Sequence, residues 1–250
     1  MNNNNNCKKE TFAAAVCGLL VLFILLLTAT ETLCFRIPGW WRSEYTKYNT
    51  PQYVRGEMSM DDAVYVTEQM LEYCIGRLDS LDNVNATIDG KTAPFFTQRE
   101  KLHLADCRTL FLGAVKARVI ALVLLAVLLA AIYYSIRKKR QKAESMISFP
   151  HVLARGYLYA LGAVIVIALI IAALSVHDFT LVFTEFHHIF FDNDLWILYP
   201  DQDNLINIMQ EPVFADAALT IACMWAAAAA VLAIVSILVL RRTHHAYRNI

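Results

Sequence analysis

Four stretches of the chain contain no Asp, Glu, Lys, Arg or His: Phe12–Thr30, Val119–Ile136, Gly156–Val176 and Ala217–Leu240. Each has the ~18–24 residues that a helix rising ~1.5 Å per residue needs to cross a hydrocarbon layer of ~30 Å. A helix is the economical choice there, because main-chain amides facing lipid must be satisfied within their own segment. The pattern therefore predicts an all-α membrane protein with four transmembrane helices. Between them it places a small extracytoplasmic region after the first span and an interfacial segment after the third. The expected order is a disordered tail over 1–11, spans over 12–35, 109–136, 156–176 and 217–240, an outer region over 36–108, a basic loop over 137–155, an acidic loop over 177–216 and a tail over 241–250.

Shorter periodicities subdivide the polar regions. Phe35–Tyr53 combines turn residues with Trp40, Trp41, Tyr45 and Tyr48, aromatics suited to the headgroup layer. Ser59 or Asp61 can cap a helix outside the membrane whose apolar positions Val64, Met70, Leu71, Cys74, Ile75 and Leu78 run to about Leu81. Asp82–Ala93 reads as a turn-rich loop carrying the sequon Asn85-Ala86-Thr87. Thr97-Gln98-Arg99-Glu100 is a capping box that opens a helix with no breaker before span two, and it puts Arg99, His103, Asp106 and Cys107 on one face. Phe179, Phe183, Phe186 and Phe190 recur at helical spacing, giving a short interfacial helix that ends near Asp192–Asp194. On it His187 neighbours Phe183 and Phe191, with His188 about 100° further round. Leu195–Pro200 is expected to be extended, and Ala226–Ala230 to allow close helix packing in span four.

Charge sets the orientation. Arg137, Lys138, Lys139, Arg140, Lys142 and Arg155 crowd the connection between spans two and three, and Arg241, Arg242 and Arg248 follow span four. The connection from His177 to Asp216 has no Lys or Arg and eight acids. Positive residues stay inside, so both termini are expected in the cytoplasm and the histidine segments at the extracytoplasmic face. The formal net charge of zero hides this asymmetry, and no basic patch with interleaved aromatics points to nucleic acid. The cysteines have no C-x-x-C spacing; Cys34, Cys74 and Cys107 could lie outside and would allow one disulfide but no framework.

Two histidine-bearing segments thus face one side, and three readings of them stand. They are solvated companions of an aromatic belt; or His103, Asp106, His187, His188 and Asp194 hold a metal, although no local ligand spacing supports one; or two imidazoles form an acid–base pair, with pKa values near ~6.5 that suit proton transfer. Among non-enzymes, transport would place ionisable residues inside the spans, which have none; a pH sensor remains an alternative, as does a related lipid-modifying enzyme.

The blocks Arg99-Glu100-Lys101-Leu102-His103-Leu104-Ala105-Asp106, Phe186-His187-His188-Ile189-Phe190-Phe191 and Asn193-Asp194-Leu195-Trp196, in this order and on one membrane side, resemble the bacterial lipoprotein intramolecular transacylase family. Cys107 departs from the aliphatic residue expected there, the Glu211–Phe214 order is unusual, and the asparagine tract is extra. The resemblance implies an acyltransferase that moves the sn-2 acyl chain of a diacylglyceryl-cysteine lipoprotein to the α-amino group of the same cysteine. The partners it implies are that diacylated lipoprotein and membrane lipids; it implies no cofactor and no metal. It maps the family's two histidines to His103 and His187. Asp106 or Asp194 would orient an imidazole, Asn193 and Arg99 would support the site, and Phe183, Phe190, Phe191 and Trp196 would line an acyl pocket.

Overall fold

The structure, a computed structural model, describes residues 7–142 and 148–248, the last five of these as backbone only. The tract at 2–6, expected to be disordered, and residues 143–147 of the basic connection lie outside the described residues. In chain order the elements are α1 (Lys8–Arg36), α2 (Trp40–Lys47), a 3-10 turn (Thr50–Tyr53), α3 (Met60–Cys74), β1 (Asn85–Ile88), β2 (Lys91–Pro94), α4 (Gln98–Gln141), α5 (Phe149–His177), α6 (Phe179–Phe190), α7 (Leu205–Ile208) and α8 (Glu211–Arg248). Of these, α1, α4, α5 and α8 are long and apolar enough to cross a membrane, the four expected. The chain divides into two compact units, one of Met1–Ala29, Ala117–Ala173 and Ala222–Ile250, the other of Thr30–Lys116 and Leu174–Ile221.

The first unit is the apolar one, and small residues set its packing. A Cβ on Gly156 would lie 2.5 Å from the carbonyl carbon of Ala14, and one on Gly18 would lie 2.8 Å from Cβ of Ala160. The backbones of α1 and α5 therefore meet without intervening side chains, as small residues permit where lipid supplies no hydrophobic drive. Polar anchors add direction: the Tyr157 hydroxyl donates to the Ala229 carbonyl at 2.8 Å, and the Trp225 indole donates to the Leu22 carbonyl at 2.9 Å. Helix α1 starts at Lys8, inside the stretch expected to be a disordered tail. The reason is Glu10, which is buried and takes Ser135 Oγ and Lys139 Nζ, each at 2.6 Å. The basic loop is likewise shorter than expected, since α4 carries Arg137–Arg140 in its last turns and α5 begins at Phe149.

The second unit is built on a core of Tyr45, Val66, Leu71, Phe95, Phe96, Ile208 and Val213. Its elements correct several expectations. Phe35–Tyr53 is mostly α2 and the 3-10 turn, and Tyr45, expected as an interface anchor, is fully buried with its hydroxyl 2.6 Å from Thr67 Oγ1. Helix α3 is capped by Ser59, whose Oγ accepts from the Asp62 amide at 3.0 Å, but it stops at Cys74. Two residues later Gly76 takes φ +80°, a left-handed exit that ends the helix well before Leu81. The stretch read as a loop holds the β1–β2 hairpin, in which Ala86 pairs with Ala93 and Ile88 with Lys91. Asp89 and Gly90 make its turn, both at positive φ, a geometry suited to an Asp-Gly pair between two strands. Leu195–Trp196 is a turn rather than extended chain, closed by the Ile197 amide on the Asp194 carbonyl at 3.2 Å.

Replacing Gly156 by Val should lower the thermal unfolding midpoint in detergent, because the new side chain meets backbone that cannot yield, a cost of about 1–3 kcal/mol. Gly162→Ala, whose added Cβ meets nothing within 4 Å, should leave that midpoint unchanged.

Candidate functional site

The site starts at the first turn of α4. Glu100 is fully buried, and its carboxylate accepts the Thr97 amide at 2.6 Å and the amide of Leu205, while the Glu100 amide donates back to Thr97 Oγ1 at 3.3 Å. The capping box is thus extended across the fold. Thr97 Oγ1 donates to Asp203 at 3.0 Å, and the other oxygen of Asp203 accepts the Tyr199 amide at 2.9 Å. Arg99, beside the box, donates to the carbonyls of Ile197, at 3.1 Å, and Asp194. These bonds hold the 194–205 segment against α4, and the same segment carries Trp196.

One turn further along α4 stands His103, 8% exposed. Its Nε2 lies 3.5 Å from Cys107 Sγ. Burial pushes the Cys107 thiol up to about 12, so the thiol stays protonated and can donate its S–H to Nε2 or accept from it. In the tautomer that takes the S–H at Nε2, the ring proton sits on Nδ1. That Nδ1 is buried and has no hydrogen-bond partner among the described residues. Burial first, then the nearby His187 and Arg99, push the His103 pKa down to about 4, against a smaller opposing pull from Asp106. The ring is neutral at physiological pH.

His187 comes from α6. Asp178 caps this helix by accepting the Leu181 amide at 2.9 Å, and the helix ends at Phe190, slightly before the expected Asp192–Asp194. The His187 Nδ1–H donates to the Phe183 carbonyl at 2.6 Å. A carbonyl only accepts, so Nδ1 carries the proton and Nε2 keeps its lone pair. Burial lowers the His187 pKa from the usual imidazole value, partly offset by that hydrogen bond, and His188 lowers it further. Aromatic rings enclose it: Phe183 at 4.2 Å between centroids, Trp196 stacked at 4.7 Å, and Phe186 and Phe191 both at 5.6 Å.

The two imidazole centroids lie 6.1 Å apart, although 84 positions separate the residues in sequence, and Phe191 packs edge-on to His103 at 5.2 Å. The other expected residues fall into place unevenly. Asp106 accepts from Asn193 Nδ2 at 3.0 Å and Asn193 Oδ1 accepts the Leu195 amide at 2.9 Å, so both ends of the Asn193 amide are engaged in holding the 193–195 turn. Neither Asp106 nor Asp194 bonds an imidazole; at His187 the orienting group is the Phe183 carbonyl instead. Phe190 is half-exposed and packs on Phe186, away from both histidines. His188 is exposed and packs edge-on to Trp196 at 5.2 Å between centroids. Cys34, Cys74 and Cys107 are free thiols. Among the described residues no three His, Cys, Asp or Glu side chains converge as metal ligands.

Sequence reasoning captured three participants in part or not at all. Cys107 was placed on the His103 face by the i, i+4 spacing and stood out as a departure from an aliphatic residue, but its place beside Nε2 was not assigned. Phe214 supports Phe183 at 5.4 Å from the start of α8, with no sequence signal to announce it. Glu100 was legible as a cap, but its burial depends on the Leu205 amide.

The family model described as lipoprotein intramolecular transacylase Lit matches residues 15–214. Among solved structures, the chain resembles the membrane integral lipoprotein intramolecular transacylase Lit from Bacillus cereus at 16% identity and a TM-score of 0.69, over 95% of this chain and 98% of that one. Two further structures of the Bacillus cereus protein, carrying a histidine-to-arginine and a histidine-to-alanine substitution, match at 14% identity with TM-scores of 0.67 and 0.66. They cover 97% of this chain and 97% of that one, and 98% and 100%, respectively. At these identities the likeness is one of fold. No curated protein matches the chain.

The low pKa of His103 has a measurable sign. The unfolded chain takes up a proton near pH 6.5 and the folded chain only near pH 4, so stability present above pH 6.5 should be lost progressively as pH falls towards 4. A His103→Asn variant should show a shallower loss across that window in detergent unfolding.

Proposed function

The chain belongs to the lipoprotein intramolecular transacylase family, and on that premise we propose that His187 and His103 divide the acyl transfer between them as base and hydrogen-bond donor. The enzyme moves the sn-2 acyl chain of a diacylglyceryl-cysteine lipoprotein to the α-amino group of the same cysteine, leaving the lyso form. This aminolysis needs a deprotonated amine, a stabilised tetrahedral oxyanion and a protonated leaving oxygen.

The observation that carries the division of labour is the His187 Nδ1–H bond to the Phe183 carbonyl, which leaves Nε2 as a fixed acceptor. In the reaction, the amine nitrogen bonds to the ester carbonyl carbon and its proton passes to His187 Nε2. The carbon–oxygen bond to glycerol then breaks, and the imidazolium returns the proton to the departing oxygen. One C–N bond replaces one C–O bond and the imidazole is regenerated, so the step consumes no co-reactant. The lowered pKa of His187 keeps the ring ready to accept a proton and makes its imidazolium a strong acid toward the leaving group.

His103 suits the other role. In the tautomer protonated at Nδ1, that buried and unpartnered atom would bind an oxyanion without displacing an existing hydrogen bond. Its neutral state also spares the site a second positive charge when His187 is protonated. Phe183, Phe191 and Trp196 keep water from the ester, which matters because hydrolysis competes with transfer. Donor and acceptor belong to one substrate, so the protein's contribution is largely to hold it folded in a near-attack geometry. Arg99, Asp106, Asn193 and the Asp194 carbonyl act by positioning the 193–197 turn. Phe190, half-exposed on α6, extends the aromatic wall for the acyl chain at the rim.

The distribution of basic residues supports both termini in the cytoplasm and the histidine site at the extracytoplasmic face. A reporter that is active only inside the cell, fused after residue 250, should be active.

In cells lacking other N-acylation activity, His187→Ala should reduce lyso-lipoprotein formation by about 10²–10⁴-fold and His103→Ala by about 10²–10³-fold. With purified enzyme, His103→Ala should keep the fall in rate at low pH that His187 protonation causes, and His187→Ala should lose it. Full product formation by both variants would overturn the assignment.

A further inference from the structure

The first unit contains a cavity that the transfer chemistry does not use. It measures about 280 Å³ and is lined by Tyr133, Ile136, Arg137, Arg140 and Gln141 of α4 and by Phe149 at the start of α5. Tyr133, Arg137 and Gln141 are spaced four apart, as are Ile136 and Arg140, so all five lie along one face of the last turns of α4. Phe149 closes the opposite side, its ring edge-on to Tyr133 at 5.6 Å between centroids. Ile136 is buried.

The charges around this groove are unequal in their partners. Lys139 pairs with Glu10 at 2.6 Å, and Arg155 donates to the Tyr159 hydroxyl at 2.9 Å. Arg137 and Arg140 line the cavity and have no carboxylate partner among the described residues. Guanidinium forks match the oxygens of a phosphodiester and bind it with two bonds each. The depth is equally specific. Ile136 is the last residue of the apolar run, and Arg137 is the first charge after it, so the cavity straddles the boundary between hydrocarbon and headgroups.

We propose that this groove is a binding site for the headgroup of an anionic phospholipid. Arg137 and Arg140 hold the phosphodiester, Gln141 reaches the polar headgroup, and Tyr133, Ile136 and Phe149 pack along the glycerol and the first carbons of the acyl chains. Retention of arginines on the inner side of a membrane for topology alone requires neither a cavity nor discrimination among lipids, and this site predicts both. It contains neither histidine and is independent of the reading of the transfer reaction.

The test uses the full chain purified in detergent, with phosphatidylglycerol, phosphatidylcholine and inorganic phosphate as separate probes. Native mass spectrometry should show phosphatidylglycerol retained in preference to phosphatidylcholine, and the lipid should raise the thermal midpoint. R137Q/R140Q should weaken the phosphatidylglycerol effect by about tenfold or more while leaving phosphatidylcholine binding unchanged. R137K/R140K, which keeps the inside charge and hence membrane insertion, should show a partial loss, since a lysine is a point charge without the fork. Equal phosphatidylglycerol retention by the wild-type chain and both variants would overturn the proposal. Arg-dependent stabilisation by inorganic phosphate alone, equal to that by the lipid, would overturn the lipid assignment. Transacylase activity of the variants at saturating substrate should stay at the wild-type level, which separates this site from the histidine pair.

Discussion

The buried carboxylate of Glu100 is the constraint on which the histidine site depends. A carboxylate taken out of water has to be repaid by hydrogen bonds, and here they come from two directions. The Thr97 amide is local and closes the capping box, whereas the Leu205 amide belongs to a segment more than 100 positions away. With Thr97 and Asp203 adding a further bond across the same junction, the first turn of α4 and the chain around 199–205 are held as one body. His103 sits one turn beyond Glu100, and Trp196 lies in the chain leading into that junction. Loosening the knot would therefore move the proposed donor relative to the ring that stacks on the proposed base.

The site itself is a compromise between dryness and polarity. Aromatic rings exclude water from the two imidazoles, and the same exclusion disfavours their charged forms. That keeps His103 and His187 neutral, the state in which one can accept a proton and the other can donate a hydrogen bond. Orientation comes from weak or main-chain groups, a thiol at His103 and a carbonyl at His187, in place of a carboxylate. A carboxylate at either ring would favour the imidazolium and undo the effect of burial. The buried Nδ1 of His103 has no hydrogen-bond partner among the described residues, which suits the donor role proposed for it.

The apolar unit is held by a different rule. Where α1 and α5 meet, Gly18, Gly156, Ala14 and Ala160 let backbones approach, and a few side-chain bonds to carbonyls fix the partners. Polarity returns at its end, in the Glu10–Lys139 pair and in the arginine-lined groove. The same helix, α4, therefore carries three kinds of site along its 44 residues: a buried cap, a catalytic candidate and a cationic groove.

Much of this was legible in the sequence because it is local. The length of the apolar runs determined four spans, the Thr97–Glu100 spacing determined a cap, and helical periodicity put His103 with Cys107 and His187 with Phe183. The Asp89-Gly90 hairpin was equally local and was available to be read. Periodicity, however, reports which face of an element is apolar and says nothing of what that face meets. The 6.1 Å approach of His103 to His187, the burial of Tyr45 and Glu100, the support of Phe183 by Phe214 and the backbone contact of Gly156 with Ala14 each join residues far apart in the chain. Only the tertiary structure could decide them, because burial and pairing are properties of two surfaces together, and one stretch of sequence describes only one of the two.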